Sequence, residues 1–427
     1  MAAIEVVRKI LREASQNNPL SSARGSDMLV EVAKWLFSKQ LAFLGDPPIT
    51  IVLWNGSKIM PADGKSVGTV IIRDWKTFFK LFVQTELHFG NAYCEGDIEI
   101  DGDLIALLEA VYRSRARVLK NNLLNEYVTK IINKPKLNSF AGSRENIHHH
   151  YDIGNDFYRL WLDKKMQYTC AYFITPSVTL EEAQVAKMDH VCKKLRLRPG
   201  ETVAEAGCGW GILALYMARH YGVRVKAFNI SHQQVLGARE QAKAEGLDDR
   251  VEYIEDDYRN ISGRFDAFVS IGMLEHVGSD NYRELGKVVQ RSLKENGRGL
   301  IHSMGRNRPE RMDPWIERHI FPGAYIPALR EMMEIFEPSG FSILDVENLR
   351  MHYAKTLEHW LMRFDNAHER ISAMYDEKFI RAWRLYLAGS LASFTTGDLQ
   401  LFQVVFANPG NNDIPWSRAH LYTGIGR

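Results

Sequence analysis

From Glu145 onward, short apolar runs alternate with longer segments whose apolar residues recur every three to four positions. The runs at 202–206, 223–229, 251–255, 265–271, 299–304, 341–347 and 399–407 predict seven strands, separated by helical stretches. That alternation is the pattern of an α/β, doubly wound, mostly parallel sheet with helices on both faces. The first 122 residues read differently. Helical patterns at 4–14 and 28–44 precede alternating runs at 49–54 and 67–73, a helix at 75–87, and a strand and turn at 96–104. These elements predict a small α+β domain. The helix at 4–14 opposes Ile4, Val7, Ile10 and Leu11 to Arg8, Lys9 and Arg12, which suits either a packing helix or one lying on a membrane surface. Between 113 and 136 stand seven Lys or Arg and one acid, Glu126, followed by Pro135 and a polar stretch at 139–144. This basic run is either a solvated face or a contact for anionic lipid. The expected organisation is therefore residues 1–122, a basic linker at 123–144, and a second domain at 145–427.

Composition agrees with two domains, since 427 residues exceed what one hydrophobic core usually supports. An apolar fraction of 45% and a charged fraction of 25% are those of a globular protein, and a net charge of +2 excludes a strongly basic nucleic-acid binder. Cys94, Cys170, Cys192 and Cys208 form no C-x-x-C pair, and Glu5 and Arg8 interrupt the apolar residues at the N-terminus, so no signal peptide is expected. That usage suits the reducing cytoplasm. No apolar run approaches the roughly 18–20 residues that span a bilayer, so any membrane contact is expected to be peripheral. His148, His149 and His150 do not make a metal site, because successive side chains diverge and no Cys or carboxylate cluster completes one.

The chemistry concentrates where the predicted strands end. Val203-Ala204-Glu205-Ala206-Gly207-Cys208-Gly209-Trp210-Gly211 is a buried strand running into a glycine turn that opens a helix. Its glycines do not fit the G-x-G-x-x-G of dinucleotide folds. The shorter Glu-x-Gly-x-Gly form resembles motif I of class I methyltransferases, whose sheets have seven strands, and implies S-adenosylmethionine near Gly207, Cys208 and Gly209. Ligands of such sheets lie beyond the carboxyl ends of the strands. After the second strand of the domain stand Asn229 and Ile230, with Gln234 one turn on, where many such enzymes have an acid for the ribose. After the third, Asp257 and Tyr258 offer a carboxylate and a ring for adenine. The fourth and fifth strands should be neighbours, so Glu275 and His302 should meet near the methyl donor. Each has a plainer reading: Glu275 as an acid at a helix start, His302 as a satisfied core histidine, Cys170 as a small buried hydrophobe, Tyr353 as packing at the sheet.

A more specific resemblance spans nearly the whole chain. The segments Tyr151-Asp152-Ile153-Gly154-Asn155-Asp156-Phe157-Tyr158, Gln167-Tyr168-Thr169-Cys170-Ala171-Tyr172-Phe173, Glu275-His276-Val277-Gly278, Ile320-Phe321-Pro322-Gly323 and Tyr353-Ala354-Lys355-Thr356-Leu357 resemble cyclopropane-fatty-acyl-phospholipid synthases. Residues 89–104 are similar to the small lipid-binding N-terminal domain that the bacterial enzymes carry and the mycolic acid cyclopropane synthases lack. The resemblance implies a class I, Rossmann-like methyltransferase that adds a methylene from S-adenosylmethionine to the cis double bond of unsaturated acyl chains in membrane phospholipids. It implies a bound bicarbonate as base, held by Cys170, Glu275, His302 and Tyr353 with backbone near Met304, and places Tyr168 and Thr169 at the methionine end of the cofactor. It also implies a homodimer on the inner membrane face. Methyl- or methylene-branched products are an alternative, a small-molecule N-methyltransferase a more distant one, and a catalytically silent lipid-binding protein a third. One departure is Ser390, where some members carry a cysteine, so thiol catalysis from that helix is not expected. Trp210 belongs to the pattern without an assigned role.

Overall fold

The computed structural model describes residues 23–121 and 154–422. The expected helix at 4–14, His148–His150, the linker and most of the basic run lie outside the described residues. The chain divides into two compact units, Met1–Asn122 and Leu123–Arg427.

The first unit has a four-stranded sheet of β1 (Thr50–Val52), β2 (Lys58–Ile59), β3 (Gly68–Ile72) and β4 (Ile98–Gly102) in the order β2-β1-β3-β4. Only β1 and β3 run parallel. The helix expected at 75–87 is two helices, Trp75–Val83 and Thr85–Glu95. Gln84 leaves helical geometry at φ −155°, Thr85 Oγ1 donates to the Leu81 carbonyl at 2.8 Å, and Gln40 Nε2 donates back to Thr85 Oγ1 at 2.7 Å. The hydroxyl thus takes a carbonyl that an uninterrupted helix would have kept for its own ladder. Asp74 caps the first of them, accepting from the backbone of Lys76 and Thr77, and the fully buried Phe78 packs edge-on to Phe37 at 5.1 Å and Phe79 at 5.0 Å.

The second unit is built on β5 (Thr202–Ala206), β6 (Arg224–Asn229), β7 (Val251–Glu255), β8 (Phe265–Ile271), β9 (Leu293–Gly305), β10 (Ser342–Asn348) and β11 (Gln400–Ala407). Their order is β10-β11-β9-β8-β5-β6-β7, and β11 is antiparallel to both its neighbours. All seven expected strands are present. β9 begins six residues earlier than its apolar run suggested, because Leu293 to Asn296 are drawn into the sheet by β8, with Phe265 opposite Leu293. Alternate residues of β5 serve opposite faces: Val203 joins a core with Met188, Val225 and Val269, while Ala204 and Ala206 join Phe228, Phe268 and Phe406. Each buried Phe contributes roughly 1.5–3 kcal/mol, which fixes the helices on that face. From β5 the chain winds outward through β6 and β7, then returns to β8 on the other side of β5. A crevice opens at the carboxyl end of β5, where the winding reverses.

Candidate active site

At that crevice the glycine turn is shaped by neighbours that leave no space for side chains at Gly207 and Gly211, while Gly209 faces open space. Gly207 has φ +81°, and a Cβ there would lie 2.9 Å from Cβ of Met273. Its N–H donates to the Phe228 carbonyl at 2.9 Å, tying the end of β5 to β6. Gly211, also at φ +81°, starts the helix Ile212–Tyr221, and Tyr253 OH donates to its carbonyl at 2.6 Å. Asn229 braces the turn from the side: its Nδ2 donates to the Gly209 carbonyl at 3.1 Å and to Gln234 Oε1 at 2.8 Å, and its Oδ1 accepts from Ser231 N at 3.1 Å. Both amide hydrogens are thereby used within the protein, so Asn229 supports the turn rather than offering donors to a ribose. Gly207, Asn229, Ile230, Asp257 and Tyr258 line one cleft together with Met273 and Val277. Asp257 caps the short turn Tyr258–Asn260 and pairs with Arg259 at 3.1 Å, while the buried Tyr258 hydroxyl has no partner among the described residues.

Next to the cleft, the pairing of β8 with β9 sets Ile271 opposite His302, and Gly272 N donates to the His302 carbonyl at 2.9 Å. The chain then turns into the helix Leu274–Val277, which brings the buried Glu275 over the end of β9. Glu275 Oε1 accepts from Met304 N at 2.6 Å, and Oε2 has no partner among the described residues. The Met304 N–H expected to serve an anion is thus given to Glu275 itself. Burial pushes this carboxyl up to about 7, against the lowering effect of hydrogen bonds from the backbone and Ser303. Burial also pushes His302 down to about 3. Gln403 Nε2 lies 3.0 Å from Nδ1 of His302; an amide nitrogen only donates, so the neutral imidazole carries its proton on Nε2. Glu275 and His302 are in this way coupled through one stretch of β9.

The segment 168–173 is irregular and docks on the helix Arg350–Asn366. Ala171 N donates to Thr356 Oγ1 at 3.0 Å, and Phe173 N donates to His352 Nδ1 at 3.0 Å. Tyr353, Thr356 and Trp360 recur at helical spacing on one face, and the Tyr353 ring meets Trp360 at 5.9 Å and Phe394 at 4.5 Å. Cys170 is buried beside this face, its thiol donating to the Ala171 carbonyl at 3.2 Å, and burial pushes the thiol far up. It is a neutral donor and no thiolate nucleophile. Tyr168 packs edge-on to Trp161 and tilted against Tyr158 and Trp360 at 5.3–5.5 Å, and its hydroxyl meets that of Tyr386 at 2.8 Å. Thr169 closes the ring: its methyl lies 3.2 Å from where a Cβ on Gly272 would sit, which joins the 168–173 segment to the strand pair that holds His302. The result is an apolar, aromatic-walled site with few polar groups.

Comparison with known proteins places this geometry. The family described as mycolic acid cyclopropane synthetase matches residues 139–404. The chain is 36% identical over 361 residues to the cyclopropane-fatty-acyl-phospholipid synthase of Escherichia coli (strain K12), covering 83% of this chain and 92% of that one. The chain belongs to the mycolic acid cyclopropane synthetase family. It is therefore an S-adenosylmethionine-dependent methyltransferase with the class I, Rossmann-like fold. A probable fatty acid methyltransferase of Pseudomonas putida is 35% identical over 389 residues, covering 88% of this chain and 96% of its own. Among solved structures, mycolic acid cyclopropane synthase CmaA1 complexed with SAH and CTAB is 30% identical with a TM-score of 0.59, covering 62% of this chain and 98% of that one. A domain of unknown function matches residues 36–123.

The glycine turn, its open approach at Gly209 and the adjoining cleft fit S-adenosylmethionine, and a family member needs such a cradle. Trp210, which the sequence left without a role, and two residues it did not single out also build the site. Trp210 donates its indole N–H to Asn155 Oδ1 at 3.0 Å and meets the Tyr158 ring edge-on at 5.6 Å, so it pins the short helix Asn155–Tyr158 to the glycine turn. Tyr386 and Gln403 come from the helix Glu377–Thr396 and from β11, more than 100 residues from the side chains they touch. Gln403 alone left a sign: a polar residue in the middle of a strand of eight buried positions whose only other polar residue, Gln400, stands at its start.

Proposed function

We propose that the protein transfers a methylene group from S-adenosylmethionine to the cis double bond of unsaturated acyl chains in membrane phospholipids and closes a cyclopropane ring. The observation that carries this reading is the pairing of a dry aromatic wall with one unpartnered buried carboxyl oxygen on Glu275, beside neutral His302. An alkene has no lone pair to offer, so its methylation leaves a carbocation on the chain. Bound S-adenosylmethionine supplies the methyl group as a sulfonium. As the C–S bond breaks and the C–C bond forms, the sulfide leaves neutral; one proton then departs from the new methyl carbon and its electron pair closes the ring. Water would capture the cation, and the buried rings of Trp161 and Trp360, with the half-buried Tyr168 packed on them, exclude it.

Bicarbonate, when bound, supplies the acceptor for that proton. The side chains suit such an anion: His302 Nε2–H is a donor, the raised Glu275 carboxyl exchanges a proton near neutrality, the hydroxyl of Tyr353 adds a donor, and the thiol of Cys170 becomes one by turning from the Ala171 carbonyl. We read Tyr168 and Thr169 as contacts to the methionine end of the cofactor, Gly207, Cys208, Gly209, Ile230 and Gln234 as its cradle, and Asp257 and Tyr258 as its adenine side. The N-terminal unit and the basic segment serve as the contact to an anionic bilayer, in a homodimer on the inner face of the cytoplasmic membrane. No helix among the described residues is long and apolar enough to cross a membrane. Formation of a methyl- or methylene-branched chain is the second reading, favoured by the likeness to a probable fatty acid methyltransferase over 96% of its length.

Mass spectrometry of unsaturated phospholipid vesicles incubated with the protein and S-adenosylmethionine tests the proposal. Cyclopropanation adds one methylene per acyl chain and removes the alkene, so the product takes up no hydrogen over a mild catalyst. A methylene-branched product gains the same mass but is reducible. An unchanged lipid pool, or methylation of the head group, refutes both.

A further inference from the structure

Beneath the site runs a buried polar stripe that the reaction does not obviously use. The helix Leu180–Lys194 is capped by Thr179 and turns Gln184 and Lys187 inward among Ala183, Met188 and Val191. Lys187 is 3% exposed. A buried ammonium is costly unless it is paired and hydrogen-bonded: burial lowers Lys187 to about 8 against the raising effect of Asp163, Cys170 and Glu205, and its Nζ donates to Thr169 Oγ1 at 2.9 Å. Glu205 is the acid of the glycine-turn motif, is 3% exposed, and has one oxygen without a partner among the described residues.

Thr169 sits on an irregular segment, yet it is held at three points. Gln184 Nε2 donates to its carbonyl at 2.9 Å, Lys187 donates to its hydroxyl, and its methyl abuts Gly272. A Lys ammonium has donors only. The Thr169 oxygen is therefore fixed as acceptor toward Lys187, and its own hydrogen has to point elsewhere. Among the described residues no acceptor receives it.

We propose that Lys187 is a positioning residue for the methyl donor, acting through Thr169: by taking up the acceptor side of the Thr169 hydroxyl, it aims the O–H of Thr169 at the α-carboxylate of bound S-adenosylmethionine. This rests on reading Thr169 as a contact to the methionine end. Lys187 draws on Glu205 on the side of the glycine turn, though burial still pushes that carboxyl up to about 8, and what reaches the cofactor is an oriented hydroxyl dipole. Lys187 then governs how tightly and in what pose the donor is held, while bond making is left to the residues around Glu275.

Calorimetric titration of the full chain with S-adenosylhomocysteine, together with thermal unfolding, separates the possibilities. Thr169→Val and Lys187→Met should each weaken binding about tenfold, the worth of one hydrogen bond involving a charged group. The pair combined should be no worse than either alone, because one contact is lost in each. Removing Lys187 also leaves Glu205 buried and unpaired, so Lys187→Met should lower the unfolding temperature. Adding Glu205→Gln should restore that temperature but not the affinity, and this double variant also serves if Lys187→Met alone does not fold. In steady state it should show a raised KM for S-adenosylmethionine with kcat within about threefold of the parent, the expected split for lost ground-state binding. Affinity that returns together with stability makes Lys187 a mere charge partner and overturns the inference. Full affinity in Lys187→Met with weakened binding in Thr169→Val overturns it while leaving the site reading intact; full affinity in Thr169→Val overturns the site reading itself.

Discussion

Replacing Glu275 with glutamine should make the protein more stable and nearly inactive, and the gain should depend on pH in a way the structure fixes. The carboxyl is buried, with a folded pKa of about 7 against an ordinary value of 4.5. Between those two values the folded state keeps the proton while the unfolded chain releases it. Raising the pH through that window therefore favours unfolding, and the loss is complete above about 7. At about 1.4 kcal/mol per tenfold, the window is worth about 3 kcal/mol. Glutamine does not titrate, keeps an oxygen to accept from Met304 N, and puts an amide where Glu275 has its unpartnered oxygen. Glu275→Gln should thus match the parent near pH 4.5, gain on it steadily to pH 7, and hold a constant lead above. For the roughly 300-residue second unit that lead is about 5 °C in unfolding temperature. Turnover at neutral pH should fall at least about a hundredfold, the usual cost of losing a group that handles a proton. Thermal unfolding across pH, with lipid turnover on the same samples, gives both readouts. A variant less stable than the parent at pH 8, or a difference that does not change with pH, refutes the account of the carboxyl's burial; full activity refutes its role.

Other outcomes follow from the same geometry. Cys170→Ala should lower turnover strongly while S-adenosylhomocysteine binding persists, and the native thiol should resist alkylation by iodoacetamide at pH 8; ready labelling of folded protein would contradict its burial. Gly211→Ala would place a methyl 2.5 Å from the Tyr253 ring at φ +81°, so it should cost at least about 2 kcal/mol, read from chemical denaturation. Trp210→Phe keeps the ring but loses the donor to Asn155, and cofactor affinity should weaken about three- to tenfold in calorimetry; unchanged affinity would reduce Trp210 to packing.

What could be read from the chain and what could not divide along a physical line. The seven strands of the second unit were legible because a buried strand is an apolar run of limited length, and the glycine turn because backbone at φ +81° next to Met273 and Tyr253 admits little else. Strand order made Glu275 and His302 neighbours before any contact was known, since residues at the ends of adjacent strands meet whatever their side chains. Periodicity was blind to what lies at right angles to the chain. Lys187 and Gln184 occupy the inner face of their helix, where the pattern of Ala183, Met188 and Val191 marks burial but not what a buried ammonium touches. Asn229 was placed rightly at the strand end, yet its amide turned inward to the turn, a choice set by the nearby Gly209 carbonyl and Gln234. The helix 75–87 failed as a single element because one hydroxyl, that of Thr85, competes for a backbone carbonyl.

The antiparallel insertion of β11 between β9 and β10 has a consequence for the timing of synthesis. Cys170, Glu275, His302 and Tyr353 have all left the ribosome before residue 400 is made. Until then β9 has an open edge, and His302 lacks the amide that fixes which of its nitrogens holds the proton. Every side chain of the site is present, but the imidazole is free to exchange tautomers. The sheet acts as a completion check: a growing chain gains its aligned site only when β11 slots in, so an unfinished chain carries the site's side chains without their alignment.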